Sequence, residues 1–251
     1  MSTPQEDSHK DGDQTLLSHL VELRSRLLRA VLCLLIIAGL LLPFSEQLYT
    51  LFATPMIERL PEGSQMIATE VASPFLVPFK LTVMLALFIS MPYVLYQAWA
   101  FVAPGLYRHE QQIAMPLLAA SVFLFYAGAV FAYFAVLPLL FNFFIGIAPE
   151  GVAVMTDISR YLDFVLKLFF AFGLAFEIPV VTLVLIWTGV ASVESLGRKR
   201  PYVIIGAFVV GALLTPPDLI SQTLLAVPVW LLFEAGLILA RFLPVRMPDQ
   251  E

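Results

Sequence analysis

Hydrophobic residues in this chain come in long, nearly unbroken runs rather than in the narrow stripes of water-soluble helices. Crossing about 30 Å of hydrocarbon takes about 20 apolar residues at 1.5 Å each. Six segments meet or approach that length: residues 27–44, about 76–97, 113–137, 161–188, 202–215 and 219–239. The expected fold is therefore all-α, a polytopic membrane protein forming a single integral domain over residues 1–251. Within it we expect a polar tail over 1–15, an amphipathic entry helix over 16–29, a six-span bundle over 27–239 and a second tail over 240–251. The residue-by-residue alternation of a membrane β-barrel is absent, as is any repeat with a period of 20 to 50 residues.

Two stretches depart from a plain span. Between Glu110 and Glu150 lie 39 residues without a formal charge, roughly 58 Å if helical throughout. Pro138 is expected to end or bend that helix, leaving an aromatic tail to Ile147 at the interface. The fifth and sixth spans, joined only by Pro216, Pro217 and Asp218, read as a short hairpin. Such a hairpin either buries its ends against neighbours or thins the bilayer locally.

Composition supports the membrane reading and sets an orientation. The chain has 251 residues, 60% hydrophobic and 13% charged, with mean hydropathy +0.88, too few polar groups to coat a surface facing water. Ten of the 14 Lys and Arg residues fall in the termini and in the loops after spans two and four, against Arg59, Lys80, Arg160 and Lys167 on the other side. Both termini are thus expected in the cytoplasm. The first fifteen residues are polar and mostly acidic, so no cleaved secretory signal is expected. The two longer outer loops, 45–75 and 139–160, are rich in Pro and Gly and read as structured caps. A net charge of −5 without a long basic run implies no nucleic-acid partner, and the single Cys33, inside an apolar run, reads as a small hydrophobe.

Enzyme and cofactor motifs fail in turn. HEQQI at 109–113 lacks the second histidine of a zinc site, and GRKR at 197–200 lacks the remaining features of a phosphate-binding loop. No cofactor, no metal and no catalytic residue is expected. In the entry helix, Leu16, Leu20, Leu23 and Leu27 form one stripe, with His19, Glu22 and Arg26 on another face. Glu22 can simply pair with Arg26, or it can converge with Glu110 to hold guanidinium groups by bidentate bonds. Glu177, inside FFAFGLAFEIPVV, is the strongest isolated signal. A carboxyl at that depth must face the bundle, a wet cavity or a polar partner helix. Pro179 should kink its helix, while Glu234 and Asp218 fall nearer helix ends.

Taken together, the motifs SHLVELR (18–24), TEVASPF (69–75), YQAWAFVAPGLYRHE (96–110), AFEIP (175–179) and KRPYVIIGAFVVGALLTPPD (199–218) resemble the TatC family, the multispanning subunit of the twin-arginine protein translocase. That resemblance implies a receptor for twin-arginine signal peptides of folded proteins, which recruits the single-span subunits TatB and TatA for export driven by the proton-motive force. It implies residence in the bacterial inner membrane and self-association in a larger complex. Carried over by motif, Glu22 and Glu110 match the carboxylates of the arginine site, with Arg24, Phe101 and Arg108 nearby. Glu177 matches the intramembrane carboxylate linked to partner helices, and Pro55, Asp218 and Gln222 match positions linked to partner docking. One departure stands out: Gln111 and Gln112 follow Glu110 where relatives commonly carry basic residues, so the site should be more acidic. The alternative from another class is a proton-coupled small-solute transporter with Glu177 as relay, which predicts a midplane site between two repeats.

Overall fold

The structure is a computed structural model and describes residues 5–57, 66–102, 111–146, 156–214 and 219–242. Its elements in order are α1 (Gln5–Leu41), α2 (Ser45–Ile57), β1 (Met66–Ile67), α3 (Ser73–Val102), α4 (Gln111–Phe131), α5 (Leu137–Gly146), β2 (Thr156–Asp157), α6 (Ile158–Ala175), α7 (Ile178–Trp187), α8 (Val193–Arg198), α9 (Arg200–Leu214) and α10 (Leu219–Phe242). Five segments among the described residues are long and apolar enough to cross a membrane: His19–Leu51, Ser73–Phe101, Met115–Phe143, Ile158–Trp187 and Leu219–Phe242. The remaining apolar helix, α9, has 15 residues, or about 22 Å. Of the two helices expected to be short, only the fifth is; α10 runs for 24 residues.

The helices pack as α1 on α3, α4 on α6, and α10 on both α7 and α9. Close approach at two of these contacts depends on glycine, as expected where packing in lipid replaces the hydrophobic effect. A Cβ on Gly128 of α4 would lie 2.4 Å from the Phe172 carbonyl oxygen, and one on Gly236 of α10 would lie 2.9 Å from the Cα of Pro179. The main core, with Leu140, Val165, Leu168 and Phe172 almost fully buried, lies where α5, α6 and α10 converge.

Prolines shape the chain as their missing N–H groups require. The helix holding Pro138 does not end there. It passes through one π turn, Ala132–Val136, and continues as α5. Pro43 lies in a 3₁₀ turn, Leu42–Phe44, that redirects the first span into α2. Pro179 has no N–H to offer the Ala175 carbonyl, and the fourth span is interrupted at Phe176 and Glu177 before restarting as α7. The polar segment expected as a tail is helical from Gln5 onward.

The two outer caps are joined. Residues of β1 and β2 pair in parallel, Met66 with Thr156 and Ile67 with Asp157. Asp157 also caps α6 through the Arg160 amide at 2.9 Å and accepts from Thr69 twice, from its amide at 3.0 Å and its hydroxyl at 2.5 Å. These bonds stabilise the ionised form and hold the carboxyl at about 2, below its usual 3.8. Lys80, counted from sequence among the charges of the opposite side, forms an ion pair with Asp163 between α3 and α6, with both carboxylate oxygens within 3.0 Å. Sequence reasoning missed it because the two residues are 83 positions apart.

Candidate functional site

Glu22 and Arg26 occupy the half-buried face of α1, where the Arg26 guanidinium donates to one carboxylate oxygen at 2.6 and 2.9 Å. The leucines 20, 23 and 27, by contrast, point outward. In water the apolar stripe would turn inward; beside lipid tails, which are as apolar as leucine, it stays outside and the polar face meets the bundle. Arg24, two residues from Glu22 and so about 200° around the helix, is exposed. The structure therefore separates it from Glu22.

Across from this face, the His19 and Phe101 rings meet with centroids 4.5 Å apart. This contact fixes the beginning of α1's apolar span beside the end of α3. Of the residues expected at the arginine site, Glu22 and Phe101 are thus brought to one end of the bundle. Glu110 and Arg108 lie outside the described residues.

A second polar cluster begins two residues away on α3. The Trp99 indole N–H donates to the Ser121 hydroxyl at 3.0 Å, and Ser121 in turn bonds the Glu177 carboxyl. Glu177 is 9% exposed, and its Oε1 has no hydrogen-bond partner. It lines a groove of about 550 Å³ whose other walls are largely apolar, including Leu95, Val181, Val184 and Leu185, with Thr188 near one end. The break between α6 and α7 places Glu177 at the start of α7, with Pro179 fixing the turn. Trp99 falls inside the motif at 96–110, but nothing in the sequence pairs it with Ser121, which is 22 positions away on the next helix. Gln97, also in that motif, is buried with an unpartnered Oε1.

The residues expected to dock partners at the hairpin are only partly described. Gln222 is half-buried on α10, and its backbone lies 3.5 Å from where a Cβ on Gly211 would stand, so α9 and α10 touch closely there. Pro55 belongs to α2, its side chain outside the description, and Asp218 lies outside the described residues. The other end of the hairpin is closed by Arg200, whose guanidinium donates to both oxygens of Glu234 at 2.5 and 2.8 Å. From sequence, Arg200 reads as a loop charge and Glu234 as a weak site candidate. Together they are a helix clamp.

Five segments long and apolar enough to cross a membrane, with a partly unsatisfied buried carboxyl between them among the described residues, define a multispanning membrane protein. Residues 18–228 match the family described as Sec-independent protein translocase protein (TatC). The chain belongs to the TatC family, and so to the subunits of the twin-arginine translocase. It is 63% identical to the Sec-independent protein translocase protein TatC of Azotobacter chroococcum mcd 1, over 90% of this chain and 89% of that protein. It is 55% identical to the protein of the same name from Escherichia coli (strain K12), over 92% and 90%. Its fold is similar to the crystal structure of the twin arginine translocase receptor TatC, with TM-score 0.80 and 38% identity, covering 89% of this chain and 98% of that one.

Proposed function

We propose that this protein is the signal-peptide receptor of its translocase, with Glu22 and Glu110 holding the paired arginines of a folded cargo's signal at the cytoplasmic face. The observation that supports this most is the arrangement at the end of α3. There Phe101 touches His19, one turn from Glu22, and Trp99 leads through Ser121 to Glu177. Two residues of one helix thus join an acidic entry face to a buried carboxyl.

The existing Glu22–Arg26 pair does not obstruct that role. A helical pair at this spacing is worth about 0.3–0.5 kcal/mol, so an incoming guanidinium that makes two bonds can displace Arg26. Arg108 and Arg24 then act at the margin of the site, Arg24 from an outward face. Glu177, with a free oxygen in an apolar groove, offers a hydrogen bond to a polar residue on a single-span partner such as TatB or TatA. Pro55, Asp218 and Gln222 belong to a second contact region around the outer loop and the hairpin. Such bonds within membranes are worth about 0.6 kcal/mol on average, so they select a partner's register more than they hold it.

The protein belongs in the bacterial inner membrane as six spans, α9 being the fifth, with both termini cytoplasmic, in a self-associating complex driven by the proton-motive force. Binding of a twin-arginine peptide to the purified protein tests the reading. Glu22→Ala, Glu110→Ala and a twin-lysine peptide should each weaken binding tenfold or more, about 1.4 kcal/mol. Indifference to all three changes, or solute flux through vesicles holding this chain alone, overturns it.

A further inference from the structure

Lys167 is a basic residue well inside a described span, away from either end, that no interaction described so far accounts for. It is exposed in the middle of α6, and among the described residues its ammonium has neither an ion pair nor a hydrogen bond. Asp163, four positions earlier and ideally spaced for a helical pair, is already held by Lys80 through both oxygens. A lysine at this depth needs an anionic partner or a route to the interface.

Its surroundings supply both. Lys167 lines a groove of about 570 Å³ that runs between α6 and α9 and is otherwise apolar, with Ile178, Val203, Gly206, Leu214 and Leu225 among its walls. Leu214 packs with the cluster of Leu168 and Phe172 and Val203 with that of Ile178, so α6 and α9 run in opposite directions, with Lys167 and Leu214 at the end of the groove toward the hairpin turn and Ile178 and Val203 at the other. Helix α9 falls about 8 Å short of a 30 Å hydrocarbon layer. A bilayer that thins to match α9 brings its surface closer to this end of the groove and to the ammonium. From Lys167 to Ile178 is about 16 Å of helix, close to the ~15 Å depth of one leaflet.

We infer that Lys167 and the α6–α9 groove bind one phospholipid of the leaflet on the hairpin-turn side, its phosphate on the ammonium and one acyl chain along the groove. An anionic headgroup is favoured, since it brings no amine to compete with the lysine. The site lies apart from Glu22 and Glu177 and does not depend on signal recognition.

Native mass spectrometry of the purified full chain tests this, using palmitoyl-oleoyl phosphatidylglycerol against phosphatidylcholine with the same chains. One phosphatidylglycerol should bind about fivefold tighter than phosphatidylcholine. Lys167→Gln should abolish the preference and Lys167→Arg should keep it. Gly206 has open space where a Cβ would stand, so Gly206→Phe fills the groove without a clash at that atom and should weaken both lipids. No preference in the wild type, a preference that survives Lys167→Gln, or full binding by Gly206→Phe overturns the inference. A preference that emerges only in Asp218→Asn also overturns it, by showing a carboxylate already on the ammonium.

Discussion

Glu177 and Glu234 sit on two helices packed against each other, α7 and α10, yet their surroundings differ in kind. Glu234 is gripped at both oxygens by Arg200 and closes the α9–α10 hairpin. Glu177 keeps one oxygen free, with a serine hydroxyl and a tryptophan behind it. The first is a finished interaction and the second an unfinished one. A carboxyl at membrane depth therefore points to function only when the protein leaves part of its bonding capacity unused, and sequence position alone does not reveal which case applies.

The contrast can be broken at the glycine that lets the two helices meet. A side chain on Gly236 would press on Pro179 and Thr182, so Gly236→Leu should cost about 3 kcal/mol by overpacking and disturb both glutamates. Thermal unfolding in detergent should show the loss. Next comes Glu234→Ala, which frees the exposed Arg200 and should lower the unfolding temperature by less, and Arg200→Ala combined with it should cost little more than either alone. Glu177→Ala should cost less than about 1 kcal/mol while abolishing crosslinks to a partner helix and export of a twin-arginine cargo. Unfolding as severe as that of Glu234→Ala would make Glu177 structural and erase the distinction.

The smallest effect lies outside the bundle, at Asp157. Its carboxyl is held at about 2 in the folded protein against 3.8 ordinarily, so its bonds to Thr69 and Arg160 contribute fully above about pH 3.8. That contribution is lost as pH falls through about 2. Hydrogen exchange at the Thr69 amide should quicken across that window, and Asp157→Asn should flatten the dependence.

Much of this was legible from the chain. Span positions, the break near Pro179 and the short α9 follow from run length and proline chemistry, and the burial of Glu177 from the cost of a carboxyl facing lipid. What was not legible has two physical causes. Pairs such as Lys80 with Asp163, Arg200 with Glu234 and Trp99 with Ser121 join different helices, and helix periodicity carries no information about which faces will meet. The outward leucines of α1 have another cause: an amphipathic stripe tells where two faces divide, but which one turns inward depends on whether the surroundings are water or lipid. The two-residue strands are too short to leave any alternation. The π turn before Pro138 is a local answer to a missing N–H that sequence marks only as some disruption.

The clasp between Thr69 and Asp157 joins points 88 residues apart, and this sets a clock on biosynthesis. A ribosome adding about 5–20 residues per second delivers Asp157 roughly 4 to 18 seconds after Thr69. Throughout that interval the segment holding β1 must wait with its strand edge open. The two spans between them, Ser73–Phe101 and Met115–Phe143, must be in place before the edge can close. Closure of the clasp is thus a checkpoint of insertion, passed only by a chain whose second and third spans already bring the two segments to one side of the membrane.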